Sequence, residues 1–575
     1  MLRRRWVAPV AVGAAYLLLT CIFYGEGVRH LASHYISDGG DGADFLWLYW
    51  HIPRAIAHGH NPFASDLIFW PVGVRMAFHT TTPLEALLAV PLSAVFGHVL
   101  GVNLLQIAAI PLTAVAAYLL ALHQCGDRRI AFFAGAAFAF IPQHQGRMFG
   151  HWNLNHFEVL PFALLALLRV YDRPTRWRAA VLGLAAAAAF LTDLTFFVFF
   201  LGAAVLIAIW RRRETITRAI GIRLVQGGVV AGVLSSPLLV AMLVDLRRHE
   251  LDRLRGWGGA QEHSADLLGW LTPSSLHPIW GGLTKGMHVN FGLEEFPYAG
   301  LVVLGLAVYG LWRLRLGRAA GPWPVIAAVF GVLALGPFLH VNGWTGHAFH
   351  RFGDDFTVPL PYYVMHSLPV LSGLRIPGRF SIMAALALDV TAAITLAHLL
   401  RNRLSVWQWV VPVVVTVVTL VEFLPVPTMK LQAPDAPAAY AVVAQDKSAG
   451  AVLEVPLFWR DGFGQVGDTR DDTITLYWAT KHGHPIENGM VARLPEARRA
   501  ALYAVPAFRQ LLTLQHQVGF DDPATFTAAD LAALGFRFVA YHRSRPMADV
   551  LAYLRTLHLP VLADDGDTII FGVPA

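Results

Sequence analysis

The sequence predicts a polytopic α-helical membrane protein that carries a C-terminal α/β domain. Three observations carry that prediction. Of 575 residues, 56% are hydrophobic and only 14% are charged, where a soluble domain carries roughly 25% charged residues. Apolar runs recur from the N-terminus to about residue 425, separated by polar or arginine-rich turns. Beyond that point short strand-like runs alternate with helical ones, the pattern of a small α/β domain.

The N-terminus reads Leu2-Arg3-Arg4-Arg5, and Trp6 to about Tyr24 is apolar. A signal peptide is the alternative reading. No small-residue cleavage site follows and more spans come later, so a retained first helix is expected. Further apolar runs lie near 101–122, 130–143, 157–170, 178–192, 194–210, 222–245, 297–315, 322–339, 380–400 and 406–425. Several are shorter than the roughly 20 residues a spanning helix needs.

Arginines sort the loops. Arg3 to Arg5, Arg128-Arg129, Arg169 to Arg178, Arg211 to Arg213, Arg313 to Arg318 and Arg401 to Arg403 all read as cytoplasmic. They share one side only if the segment 83–98 lies in the interface or re-enters without crossing. The count is then about eleven spans, with the N-terminus inside. The loops 25–82, 246–296 and 340–378 fall on the outer face, as do the turns around His151 and Asp193. The expected domains are 1–426 in the membrane and 427–575 outside it. The net charge of +6 belongs to the cytoplasmic loops, and no basic patch interleaved with aromatics points to nucleic acid. Cys21 and Cys125 imply no disulfide framework.

The first outer loop concentrates the chemistry. It reads Asp38-Gly39-Gly40-Asp41-Gly42-Ala43-Asp44, then Phe45-Leu46-Trp47-Leu48-Tyr49-Trp50. An acceptor hydroxyl is a poor nucleophile, and a carboxylate within reach can take its proton, a contribution of typically about 10²–10⁴-fold. Beside that reading stands a bland one, in which these are solvated acids at glycine turns. Phe45 to Ala57 has aromatics at helical spacing and is expected in the membrane surface. Its rings form an interfacial belt or touch substrate, and Trp50 and His60 are the candidates for substrate contact.

Several features of this region resemble the GT-C superfamily of integral-membrane glycosyltransferases. They are the short tail, the single span, the long loop with Gly40-Asp41, the Trp-rich helix, Gly59-His60-Asn61-Pro62-Phe63, and the helix start Thr82-Pro83-Leu84. Within it, the likeness is to a bacterial branch related to the protein O-mannosyltransferases and the lipid A aminoarabinose transferase. The resemblance implies a polyprenyl-phosphate-linked sugar donor and an acceptor that is a cell-envelope glycan, lipid or protein. It implies a place in the bacterial inner membrane among its lipids, with residues 427–575 in the periplasm. It also implies an acidic base in the first outer loop, at Asp41, with Asp44 three residues on. The first loop has no Asp-Glu pair of the O-mannosyltransferase kind, so Asp44, Glu158 and Asp193 stay beside Asp41 as candidate catalytic acids.

The turn Gln143 to Glu158 is polar for a link between two apolar runs. Glu158 is either a functional acid near the surface or a carboxylate favoured by a helix N-terminus. His151 and Asn153 are candidate substrate contacts. His151 and His156 with Asp41 are the one set that would allow a divalent metal, but their spacing matches no strong metal motif. No metal ligand is assigned, and no cofactor is firmly implied. Asp193 is the only charge between Ala179 and Trp210, either a helix cap or a second acid.

Arg247, Arg248, Arg253 and Arg255 precede Glu294-Glu295 in the next outer loop. They read as sites for an anionic group or for the C-terminal domain. The last outer loop ends in Arg375-Ile376-Pro377-Gly378-Arg379, an element similar to one in the same bacterial branch. Arginine offers a phosphate bidentate donors, so Arg375 and Arg379 are the candidates for the donor phosphate. Headgroup snorkelling is the alternative.

Pro425, Pro427, Pro434 and Pro437 form the linker to the C-terminal region. Strands are expected at Ala451 to Pro456, Phe536 to His542 and Thr568 to Phe571, with helices at Asp530 to Leu534 and Met547 to Leu557. The loops Asp461 to Asp472 and His482 to Pro485 hold no independent catalytic motif. The chain has no Walker loop or dinucleotide fingerprint, which argues against a nucleotide donor and ATP-driven transport. A transporter or flippase of a lipid-linked substrate would show internal repeats, and none is clear. A non-catalytic membrane assembly protein is the other alternative, favoured if Asp41 proves dispensable.

Overall fold

In the computed structural model each of these apolar runs carries a helix. They are Leu2–Phe23, His98–Cys125, Arg128–Ala139, Val159–Asp172, Arg176–Thr192, Leu194–Trp210, Arg218–Arg247, Leu301–Trp312, Trp323–Ala334, Ser381–Leu400 and Ser405–Glu422. The structure describes residues 2–574 except 253–255, 290–291, 293–294, 346–348, 352–353, 357, 369–370, 425–428, 468–472 and 521–524. Arg253, Arg255, Glu294, Pro369, Val370, Pro425, Pro427, Asp468, Asp471 and Asp472 therefore lie outside the described residues.

Among the described residues five stretches are long and apolar enough to cross a membrane. These are His98–Cys125, Trp152–Asp172, Arg218–Arg247, Pro377–Leu400 and Ser405–Glu422. Shorter apolar helices accompany them at Pro9–Phe23, Pro83–Phe96, Leu194–Trp210, Leu301–Trp312 and Trp323–Ala334.

The chain divides into two compact units. The first comprises Met1–Arg29, Leu104–Ser236 and Leu254–Met429. Some of its helices start at side-chain caps. Asp127 accepts the Arg129 backbone N–H at 2.8 Å, and Thr175 accepts that of Arg178 at 3.3 Å. Small residues then let helices close on each other. A Cβ on Gly310 would lie 2.9 Å from Thr395 Cγ2, and one on Gly183 would lie 2.6 Å from the Gly227 carbonyl.

The second unit comprises His30–Asn103, Pro237–Arg253 and Lys430–Ala575. Its four-stranded sheet runs in the order Val561–Asp564, Thr568–Gly572, Phe536–His542, Ala451–Val455. The last two strands are parallel and the other pairs antiparallel. Val452, Leu453, Val539, Ala540 and Ile570 are fully buried in it, and since neighbouring residues point to opposite faces, these strands are covered on both sides. A smaller sheet pairs Phe458–Asp461 with Gly464–Gly467 and, in parallel, with Gly489–Met490.

Stretches far apart in sequence close this unit. Tyr35–Ile36 pairs antiparallel with Leu431–Gln432. Trp70 donates its indole N–H to the Leu534 carbonyl at 2.8 Å, and Ile486 N–H reaches the Leu67 carbonyl at 2.9 Å. The helix Gly42–Ala57 packs on Pro83–Phe96 and on Ile474–His482.

Arg498 ties three parts of the unit together. It grips Glu250 with two bonds of 2.7 Å and donates to the Val72 and Gly73 carbonyls at 3.1 and 2.9 Å. Hydrogen bonds from Arg498 hold the Glu250 carboxyl below its ordinary value, while burial works in the opposite direction. A depressed carboxyl stabilises the fold above its ordinary pKa of 4.5 and loses that contribution as pH falls through the lower folded value. The folded wild type is therefore expected to lose thermal stability below about pH 4.5. Arg498→Gln lowers the melting point at neutral pH and flattens this acid dependence, which pH-dependent melting curves would check.

Candidate functional site

The site grows from the start of the helix Gly42–Ala57 in the second unit. Gly39 turns the chain at φ 99°, and Gly42 opens the helix where a Cβ would lie 2.7 Å from Ser37 Cβ. Asp41 occupies the N-cap position, with φ −74° and ψ −8°, and its side chain makes no capping bond. The carboxylate faces Arg460 instead, with Nη1 3.0 Å from Oδ1. The Asp41 side chain keeps 19% of its surface exposed. Thr473 Oγ1 donates to the Gly40 carbonyl at 2.9 Å, so the C-terminal segment touches this turn twice.

Asp44 lies in the first turn of the same helix and is 1% exposed. The positive end of the helix dipole favours its charge. Its Oδ2 is 3.1 Å from His79 Nε2, and His79 Nδ1 is 2.9 Å from the Ala492 backbone nitrogen. Asp44 Oδ1 is buried without a hydrogen-bond partner. One turn further on, Trp47 stacks on His51 at 4.6 Å, and burial pushes the His51 imidazole down to about 4, leaving a neutral ring.

Trp50 and His60 have other surroundings. The Arg54 guanidinium covers the Trp50 ring at 5.1 Å, a cation–π pair. His60 is exposed beyond the far end of this 16-residue helix, whose length is about 24 Å.

The first unit holds the remaining candidates. Glu158 precedes the helix Val159–Asp172, with Oε1 2.7 Å from His156 Nδ1, and Oε2 accepts from Thr113 Oγ1 at 3.3 Å. Asn153 donates to Asp193 Oδ2 at 2.6 Å, while Asp193 Oδ1 accepts the Thr195 N–H at 2.7 Å and caps Leu194–Trp210. The polar turn thus gathers Asn153 with Asp193, and His156 with Glu158. His151 is half-buried at the start of the short turn Trp152–Leu154. Arg375 and Arg379 are half-buried. Arg379 lies in the turn Pro377–Phe380, which enters Ser381–Leu400 and is tied to the loop before it by Gly378 N–H on the His263 carbonyl at 2.9 Å. Among the described residues no three of His, Cys, Asp and Glu gather to hold a metal ion.

Sequence reasoning missed His79 and Arg460. Arg460 stands 419 residues from its partner Asp41, and no spacing rule spans that distance. His79 directly precedes Thr80-Thr81-Thr82 at the next helix start, where a histidine beside a buried turn is the only available signal.

The family model described as "Domain of unknown function (DUF6311)" matches residues 11–423. No curated protein sequence matches. Among solved structures, arabinofuranosyltransferase AftD from Mycobacteria superposes with a TM-score of 0.60 at 15% identity, covering 100% of this chain and 40% of that one. The apo oligosaccharyltransferase of Archaeoglobus fulgidus gives a TM-score of 0.51 at 11% identity, with 94% and 70% covered. ArnT from Cupriavidus metallidurans in the apo state gives 0.48 at 16% identity, with 100% and 99% covered. The chain spans about two-fifths of the length of AftD. Its fold is that of the GT-C glycosyltransferases, as the first outer loop suggested.

Proposed function

The chain belongs to the DUF6311 family of domains of unknown function, and for this member we propose the activity of an integral-membrane glycosyltransferase. It moves a sugar from a polyprenyl-phosphate-linked donor to a cell-envelope glycan, lipid or protein. The reaction takes place at the outer face of the bacterial inner membrane. About eleven helices cross, the N-terminus is cytoplasmic, and residues 427–575 are periplasmic. AftD and the Archaeoglobus fulgidus oligosaccharyltransferase, each with a TM-score above 0.5, are named for moving sugars.

The observation that carries the reading is the state of Asp41. On a GT-C fold, a partly exposed carboxylate stands at the first-loop helix start and is aimed by Arg460 at 3.0 Å. A base must reach an acceptor proton, and Asp41 is the more accessible acid of this turn, since Asp44 is buried. Asp41 takes the acceptor's proton as the acceptor oxygen bonds to the anomeric carbon. The bond from that carbon to the donor phosphate breaks, with inversion. The phosphate leaves as an anion and needs a cation more than an acid. In the first unit, Arg375 and Arg379 are the cations we assign to it.

The test uses membranes containing the protein, offered labelled polyprenyl-phosphate sugars and, in parallel, nucleotide sugars. Label is expected to pass to the acceptor from the lipid-linked donor and from no nucleotide sugar. A folded protein that transfers from no lipid-linked donor would overturn the reading. Removing one charged hydrogen bond costs about 1.5–3 kcal/mol, so Arg379→Ala should raise the KM for the donor about tenfold or more, with a smaller change in kcat. An unchanged KM in both Arg379→Ala and Arg375→Ala would remove the phosphate assignment.

A further inference from the structure

Asp44 and His79 form a buried pair that the proposed reaction leaves without a part. A backbone N–H can only donate, so the Ala492 N–H at 2.9 Å makes His79 Nδ1 an acceptor. The single ring proton then sits on Nε2 and is donated to Asp44 Oδ2 at 3.1 Å. Both ring nitrogens are committed, and the side chain is 2% exposed. This imidazole is held in one tautomer and one orientation.

The donor that fixes it belongs to the piece of chain that also holds Asp41. Val491 N–H bonds the Arg460 carbonyl at 3.1 Å, and Gly462 N–H bonds the Ala492 carbonyl at 3.2 Å. Arg460 and Ala492 are thereby fixed to each other within the small sheet that pairs Phe458–Asp461 with Gly489–Met490. Asp41 and Asp44 are three residues apart, one helical turn, and share a face. A single braced edge therefore grips this turn at two points. Its Arg460 side chain holds Asp41, and its Ala492 N–H holds Asp44 through His79.

We infer that His79 is a positioning residue that sets the angle at which Asp41 meets the acceptor, and that Asp44 is its anchor and no second base. The inference rests on the transferase reading. A base displaced by about 1 Å can lose roughly 10²-fold in rate, while donor binding at a separate phosphate contact is untouched. His79→Ala should therefore lower kcat by about that factor and leave the donor KM near the wild-type value. His79→Gln keeps an amide N–H donor for Asp44 and should recover most of the loss. Asp44→Ala should match His79→Ala, and Asp44→Asn, which keeps an oxygen acceptor, should retain more activity than Asp44→Ala.

The deciding measurement is a double-mutant cycle on kcat, each protein first checked for folding by gel filtration and thermal midpoint. If the pair acts as one device, His79→Ala combined with Asp44→Ala falls no further than either alone. Losses that multiply, or a His79→Ala kcat equal to wild type, overturn the inference and leave the transferase reading standing. Should His79→Ala fail to fold, His79→Gln decides. Near wild-type kcat supports the inference, and a folded Gln variant as inactive as Asp41→Asn overturns it. A folded wild type that transfers nothing removes the transferase reading itself, and the inference with it.

Discussion

Asp41→Asn is expected to lower the rate of sugar transfer by about 10²–10⁴-fold while the KM for the lipid-linked donor changes little. Asparagine has the size of aspartate, and its carbonyl oxygen can still face Arg460, so the turn keeps its shape. It cannot accept a proton. An interaction that matters only as the acceptor is deprotonated appears in kcat and not in ground-state binding. Single-turnover transfer from a labelled polyprenyl-phosphate sugar, wild type beside variant, measures the chemical step directly. Transfer that survives the substitution moves the base to Asp44, Glu158 or Asp193 and leaves Arg460 with no base to aim. Collapse of both transfer and folding would be recognised by a lowered thermal midpoint.

Glu454→Ala should be the most damaging single change to stability, at about 3–5 kcal/mol. Glu454 is fully buried in the strand Ala451–Val455. Its Oε2 lies 2.5 Å from the Tyr440 hydroxyl and 2.8 Å from His542 Nε2, and its backbone N–H reaches Glu487 Oε2 at 2.8 Å. The Tyr440 ring stacks on His482 at 5.5 Å. Burial, and then the Glu454 charge, push the Tyr440 hydroxyl well above its usual pKa, so it stays a proton donor. Alanine would remove the acceptor that the buried Tyr440 O–H and the His542 N–H share and leave the two groups 3.3 Å from each other, and a buried group left without its partner costs about 1–3 kcal/mol. A clear drop in the unfolding midpoint of the intact protein is expected, with earlier proteolysis within 430–575. Glu454→Gln keeps an acceptor and should fall between. An unchanged midpoint in the alanine variant would show that the cluster contributes nothing net.

Local order is legible in the sequence because it depends on neighbours. Each apolar run holds a helix, and the strands at 451, 536 and 568 stand where the alternation places them. Asp193 reads in sequence as either a cap or an acid; its Oδ1 takes the Thr195 N–H as a cap does, and its Oδ2 faces Asn153. Trp50 reads as either belt or substrate contact, and the guanidinium over its ring belongs to Arg54, one helical turn on. The GT-C fold comes through the resemblance of the first loop. What cannot be read is pairing across the chain. Periodicity reports which face of an element is buried, not what covers it. Arg498 and Glu250 are 248 residues apart, and Asp41 and Arg460 are 419 apart. The residues that aim the candidate base therefore stay hidden while the base itself stands out.

The second unit draws on His30–Asn103, Pro237–Arg253 and Lys430–Ala575, and a ribosome delivers these stretches one at a time. Synthesis runs at roughly 5–20 residues per second, so the first stretch waits tens of seconds for the last. During that interval Tyr35–Ile36 offers an unpaired edge, since its partner strand Leu431–Gln432 has yet to be made. Closing the loop between them also carries an entropic cost that grows with its length. The nascent chain carries this edge unpaired until the last stretch is made. Arg460 can hold Asp41 only after residue 460 has been made, so the ion pair at this helix start is among the last contacts the growing chain acquires.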